Sequence, residues 1–297
     1  MKHTNTFIGN LAIFGEASLW GLFPVITTIS FSHVSPVTSL LITILFAALF
    51  LGLWLLASGR WRELLIKAAW PDILAAAFFL AVLYYGFYFL GLAHTTPNNA
   101  AIVALLEVLF SYLLFNIWRK EYFSTNSILG ALLMVIGAAI ILLPKVSTVH
   151  SGDFLVMAAA TSAPFGNLFQ QRARKKISSL TLIFARYFLA LPFLFLLNYF
   201  FGGPPNWSQI YMALPALAVT GCALLGLAKI FWIEGIHRIP VTHAVALSSI
   251  SVLFTLAFSY IFLHLPITLS QLLAGIPIFI GVLLLTRKQT AAMPIKI

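Results

Sequence analysis

Stretches of about 20 apolar residues, the length an α-helix needs to cross roughly 30 Å of hydrocarbon, recur almost without pause along this chain. They predict spans at 7–29, 37–57, 73–92, 99–118, 127–143, 154–170, 180–200, 211–235, 241–263 and 269–286. Short polar links separate them. The first span outruns the apolar core of a secretion signal, about 7–15 residues, and carries Glu16 in its middle, so it reads as a retained helix. The pattern describes an all-α integral membrane protein of ten transmembrane helices.

Composition agrees. Hydrophobic residues make up 61% of the chain and charged residues 8%, against roughly 25% charged in a soluble domain, and no water-soluble core could bury so much apolar chain. A net charge of +10 would suggest nucleic acid in a soluble protein, but here the cations follow topology. With the N-terminal face called side one, fourteen of the seventeen Lys and Arg fall on side one, Lys145 alone falls on side two, and Arg186 and Lys229 lie within spans. That bias marks a cytoplasmic face. Both termini are therefore expected in the cytoplasm, the chain in a bacterial inner membrane, and its surface cations against lipid headgroups rather than nucleic acid. Cys222 is the only cysteine, lies inside a span, and can form no intrachain disulfide.

The two halves echo one another. At an offset of 144, Gly91 falls on Gly235, Ala100 on Ala244, Ser124 on Thr268 and Gly137 on Gly281. At 143, the run from Ser35 to Thr43 lies over the run from Ser178 to Arg186. This divides one membrane domain into repeats 1–146 and 147–297. Five spans per repeat force the second half to enter from the opposite face, giving two inverted five-helix repeats, a plan in which substrate binds near the midplane between halves.

Leu19-Trp20-Gly21, Ser35-Pro36-Val37-Thr38, Arg186, the Gly130 to Gly137 spacing and the acidic Glu121 between the fourth and fifth spans resemble the drug/metabolite transporter superfamily, specifically its EamA-type ten-helix exporters. The likeness covers nearly the whole chain. It implies a cavity lined by the first, third and fourth helices and their partners, the sixth, eighth and ninth, and export of an amino acid or related metabolite. Two positions depart from the family pattern. Thr43 stands where a first-half arginine is expected, and Glu107 where a fourth-helix proline is common.

Five ionisable residues lie inside spans: Glu16, Glu107, Arg186, Lys229 and Glu234. Each costs at least about 2.5–3.5 kcal/mol at the bilayer centre, so each needs a reason. Glu234 reaches water at its span's cytoplasmic end, and Arg186 has a stem long enough to snorkel, serving as lid, packing residue or substrate ligand. Glu16, Glu107 and Lys229 lie deeper, on the helices expected to line the cavity. An ion pair of Glu107 with Lys229 or Glu16 with Arg186, protonation, and direct substrate contact all remain open to them. Glu16, Trp20, Phe23 and Thr27 share one stripe of the first helix. On the third helix Tyr84 and Tyr88 share a face, and the repeat sets Tyr85 against Lys229 and Tyr88 against Trp232. The substrate-binding candidates are thus Glu16, Trp20, Tyr85, Tyr88, Glu107, Lys229 and Trp232.

Pro24 and Pro164 occupy comparable places in the halves, where paired helix breaks point to hinges. Asn99 and His243 belong to polar clusters at opposite faces and, with Arg186, are gate candidates. The seven histidines show no metal-ligand spacing, and no phosphate loop or nucleophile motif stands out. The expectation is a secondary transporter, not an enzyme, working by alternating access without a cofactor. Its partners would be a small solute, the bilayer and protons as coupling ion, with pairing into a homodimer left open. The alternatives are efflux of lipophilic cations, or a channel or membrane enzyme.

Overall fold

The computed structural model describes residues 2–119, 125–142, 150–203, 206–239, 244 and 247–287. Ten helical segments follow in order: α1 (Lys2–Phe31), α2 (Pro36–Ala57), α3 (70–92), α4 (97–119), α5 (Thr125–Leu142), α6 (Ser151–Arg174), α7 (Ser179–Phe201), α8 (207–238), α9 (Ser251–Leu263) and α10 (Leu269–Arg287). Two short 3-10 turns, Arg60–Leu65 and Lys67–Ala69, link α2 to α3. Helices α1, α2, α3, α4, α7 and α8 are each long and apolar enough to cross a bilayer; α5, α9 and α10 contain shorter apolar stretches. Helix α6 is long but carries Asp153, Asn167 and Gln170.

Caps and glycines repeat with the fold. Ser35 accepts the Thr38 backbone N–H at 3.2 Å to start α2, and Ser178 accepts that of Thr181 at 3.4 Å to start α7. Each serine satisfies a backbone donor that the first turn leaves free. Helix α1 packs on α8 and α9 as α6 packs on α3 and α4, while α2 meets α7 and α5 meets α10. Exchanging the halves maps this pattern onto itself. In lipid, close van der Waals approach rather than water exclusion joins helices, and the α5–α10 seam shows it. A Cβ on Gly137 would stand 2.6 Å from the Ala274 carbonyl, and one on Gly281 2.6 Å from the Gly130 carbonyl.

The helices around the interior are irregular in pairs. Ala77–Tyr84 in α3 and Val219–Leu227 in α8 are wound as π-helix. Helix α4 breaks at Leu105, where Leu105 N–H bonds the Ile102 carbonyl at 3.2 Å, and a turn at Ser249 and Ile250 precedes α9. Non-ideal backbone at membrane depth persists only where protein or a wet cavity can satisfy it, and π-bulges gather at functional sites. By contrast α1 and α6 run unbroken through Pro24 and Pro164, so the irregular backbone is not where the prolines had pointed.

Candidate functional site

Two small adjoining cavities of about 80 and 90 Å³ lie between the halves, and Trp20, Tyr84, Glu107, Trp232 and Ser248 border both. Tyr88 and Pro24 border the first; Glu16, Tyr85, Lys229 and Arg186 border the second.

Because α1 packs on α8, Glu16 meets Lys229. The ammonium donates to Glu16 Oε1 at 3.0 Å, Ser248 Oγ donates to Oε2 at 2.8 Å, and Nζ stands 3.2 Å from the centroid of the Trp20 ring. That ring stacks on Phe23 with centroids 4.3 Å apart. Glu16 is 1% exposed, yet both its oxygens are satisfied, and a desolvated cation over an indole face is worth up to about 2 kcal/mol. The pairing differs from both read from sequence. Lys229 belongs to Glu16, not to Glu107, and Arg186 does not reach Glu16.

Glu107 is held differently. Asn167 Nδ2, on α6, donates to its Oε1 at 2.7 Å. Gln170 Nε2 lies 3.4 Å from Asn167 Oδ1, and Arg186 Nη1 donates to Gln170 Oε1. A relay of two carboxamides thus runs from Glu107 on α4, along one face of α6, to Arg186 on α7. The Arg186 guanidinium lies 4.6 Å above the Tyr187 ring. Tyr187 donates to the Leu225 carbonyl at 3.0 Å, inside the π-helical part of α8, and its oxygen is 3.4 Å from that of Tyr85. Among the described residues, neither Glu107 nor Arg186 has an ion-pair partner.

Hydrogen bonds and ion pairs bridge the halves at both rims. On side two, Thr95 donates to Asp153, Asn99 Nδ2 lies 3.4 Å from Asp153 Oδ2, and Gln271 donates to Asn99 Oδ1 at 2.9 Å. On side one, Lys176 reaches across to Asp72 at 2.7 Å, while within the second half Arg174 binds Glu234 at 3.2 Å and Arg238 also pairs with Glu234. Glu63 accepts the Ser178 backbone N–H and the Thr181 hydroxyl, each at 2.7 Å. Partial burial opposes ionisation of Glu63, but the bonds from Ser178 and Thr181, helped by Arg60, outweigh it and lower its pKa.

The structure therefore gathers Glu16, Trp20, Tyr85, Tyr88, Glu107, Lys229, Trp232, Pro24 and Arg186 around one space. Asn99 stands at the side-two rim, Pro164 is buried in α6 away from either cavity, and His243 lies outside the described residues. Sequence reasoning missed Asn167, Gln170, Ser248 and Tyr187. The two amides carried a usable signal, since polar residues three apart share a helix face.

A helical membrane bundle of two inverted halves around a polar interior is the architecture of a secondary transporter. The EamA-like transporter family matches twice, over residues 7–143 and 150–287, and the chain belongs to that family. It is 28% identical over 233 residues to an uncharacterized transporter of Methanothermobacter thermautotrophicus, covering 75% of this chain and 63% of that protein. It is 22% identical over 249 residues to the uncharacterized transporter YvbV of Bacillus subtilis, covering 80% and 78%. A solved crystal structure matches with a TM-score of 0.69 at 20% identity, over 98% of this chain and 100% of its own. A likeness at that identity concerns the fold alone.

Proposed function

We propose that this transporter exports an amino acid or related small metabolite from a bacterial cytoplasm by alternating access, with both termini cytoplasmic and with protons as coupling ion. The observation that carries the reading is the contrast between the two cavity carboxylates. Glu16 is matched by Lys229, whereas among the described residues Glu107 is held by the neutral Asn167 amide and by no ion pair. A carboxylate at that depth without a cation is free to exchange a proton with bulk solvent or with a substrate donor. Glu107 takes up a proton in one orientation of the halves and releases it in the other. The Lys and Arg bias toward side one supports the orientation. The family supports transport as such.

The test is flux in proteoliposomes under an imposed pH gradient. Glu107→Gln should keep saturable exchange of substrate and lose acceleration by the gradient. Unaltered gradient dependence in a folded Glu107→Gln protein would remove the proton role. The same carboxylate among Trp20, Tyr84, Tyr88 and Trp232 also favours a second reading, efflux of lipophilic cations. Faster transport of tetraphenylphosphonium than of any amino acid would select it.

A further inference from the structure

Arg186 is the one cavity charge that the preceding account leaves unused. It is 2% exposed, and among the described residues its Nε and Nη2 have no hydrogen-bond partner. Nη1 is engaged by Gln170, and the face of the guanidinium lies on Tyr187. The plane is therefore fixed by a ring below and an amide at one corner, while the edge carrying Nε and Nη2 is unpaired and closed off from solvent in this conformation, so a ligand reaches it when the walls part. That edge presents two parallel N–H groups, the fork that receives both oxygens of a carboxylate. A buried cation with two unmet donors is costly unless an anion completes it. No described carboxylate does so, because Lys229 already neutralises Glu16 and Asn167 holds Glu107. Arg186 borders the same cavity as Trp20, Tyr85 and Trp232.

We propose that the Nε/Nη2 edge of Arg186 is the seat for a substrate carboxylate, and that the transported solute is a carboxylate bearing an apolar or aromatic body. Resting on the transport reading for the cavity's role, this names the substrate class. The carboxylate lies flat against the fork, Gln170 and Tyr187 hold the fork in plane, and the apolar body fills the aromatic part of the space.

The test uses full-length protein in nanodiscs and calorimetric titration with matched probes: acetate, phenylacetate and indole-3-acetate, each beside its primary amide, with phenethylamine and phenylphosphonate as charge and shape controls. Two charge-assisted bonds predict that at least one aryl carboxylate binds about tenfold or more tighter than its amide. Arg186→Lys, which keeps the charge but loses the fork, should erase that preference without weakening the amide. Its melting temperature reports whether it remains folded, and the wild-type comparison needs no variant. The proposal is overturned if no carboxylate outbinds its amide, if phenethylamine or phenylphosphonate binds tightest, or if folded Arg186→Lys keeps the preference. Saturable flux of some solute alongside any of these results would leave transport standing and remove only the carboxylate seat. A carboxylate preference in binding without flux of any probe would retain the seat and count against the transport reading.

Discussion

Position 85 in the first half is a buried tyrosine bonded to Tyr187, and the residue 144 places on is Lys229, paired with Glu16 and laid over Trp20. Thr43 in the first half answers to Arg186 in the second, and Glu107 to Ser251. Backbone features repeat between the halves: serine caps, glycine seams, π-helical stretches and broken fourth and ninth helices. The polar chemistry does not. Both cavity acids come from the first half, and the cations and carboxamides that face them come from the second. The contacts holding the site, Glu16 with Lys229 and Ser248 and Glu107 with Asn167, consequently all cross between halves. The α5–α10 seam joins the two halves as well, but through glycine packing rather than charge.

The sharpest break of this comparison is at its first pair. Lys229→Met leaves Glu16 buried without a cation and should destabilise the protein by about 3–5 kcal/mol, while Glu16→Gln with Lys229→Met should recover much of that loss. At the equivalent place, Tyr85→Phe removes one long neutral hydrogen bond and should cost no more than about 1 kcal/mol. Equilibrium unfolding in mixed micelles measures all three, and equal costs for Lys229→Met and Tyr85→Phe would contradict the asymmetry.

The seam predicts the opposite behaviour. Gly137→Leu and Gly281→Leu both force a side chain into a neighbouring backbone, and each should cost about 1–3 kcal/mol or more, by similar amounts. A large loss for one and none for the other would show that packing is not shared between the halves. Smaller again is Trp20→Ala, which strips the ring from beneath Lys229. It should lower flux with the protein still folded, with a loss of about 0.5–2 kcal/mol from the cation–π contact. Flux near wild type with reduced expression would make Trp20 a packing residue.

The smallest effect lies outside the membrane. The lowered pKa of Glu63 means that its stabilising contribution is full above the ordinary carboxylate value of about 4.3. It is lost as pH falls through the lower folded value. The melting-temperature gap between wild type and Glu63→Gln should therefore close on acidification below about pH 4. A gap that stays constant would mean that the bonds from Ser178 and Thr181 do not depend on the charge.

Helix count, inverted halves and most cavity residues were legible in the sequence because lipid imposes a length and a cost on each span. Which residues touch was less legible. Glu16, Glu107, Lys229 and Arg186 stood out as intramembrane charges, but their pairing depends on which helices pack and at what level, and neither pairing read from sequence formed. The π-helical stretches left no mark, since neither Ala77–Tyr84 nor Val219–Leu227 contains a proline. Pro24 and Pro164 were visible breaks in unbroken helices. Asn167 and Gln170 looked like ordinary polar residues near a helix end until α6 turned them toward Glu107 and Arg186.

The central claim, that two chemically unlike halves rock about a shared cavity, is tested most directly by spin-label distances across the two rims. In a Cys222→Ser background, one label pair at Trp61 and Lys175 reports side one and another at His94 and Trp207 reports side two, all exposed positions split between the halves. Under conditions of active flux, one distance distribution should lengthen as the other shortens. Distances that remain fixed, or that change in the same direction, while solute continues to cross would contradict alternating access between these halves.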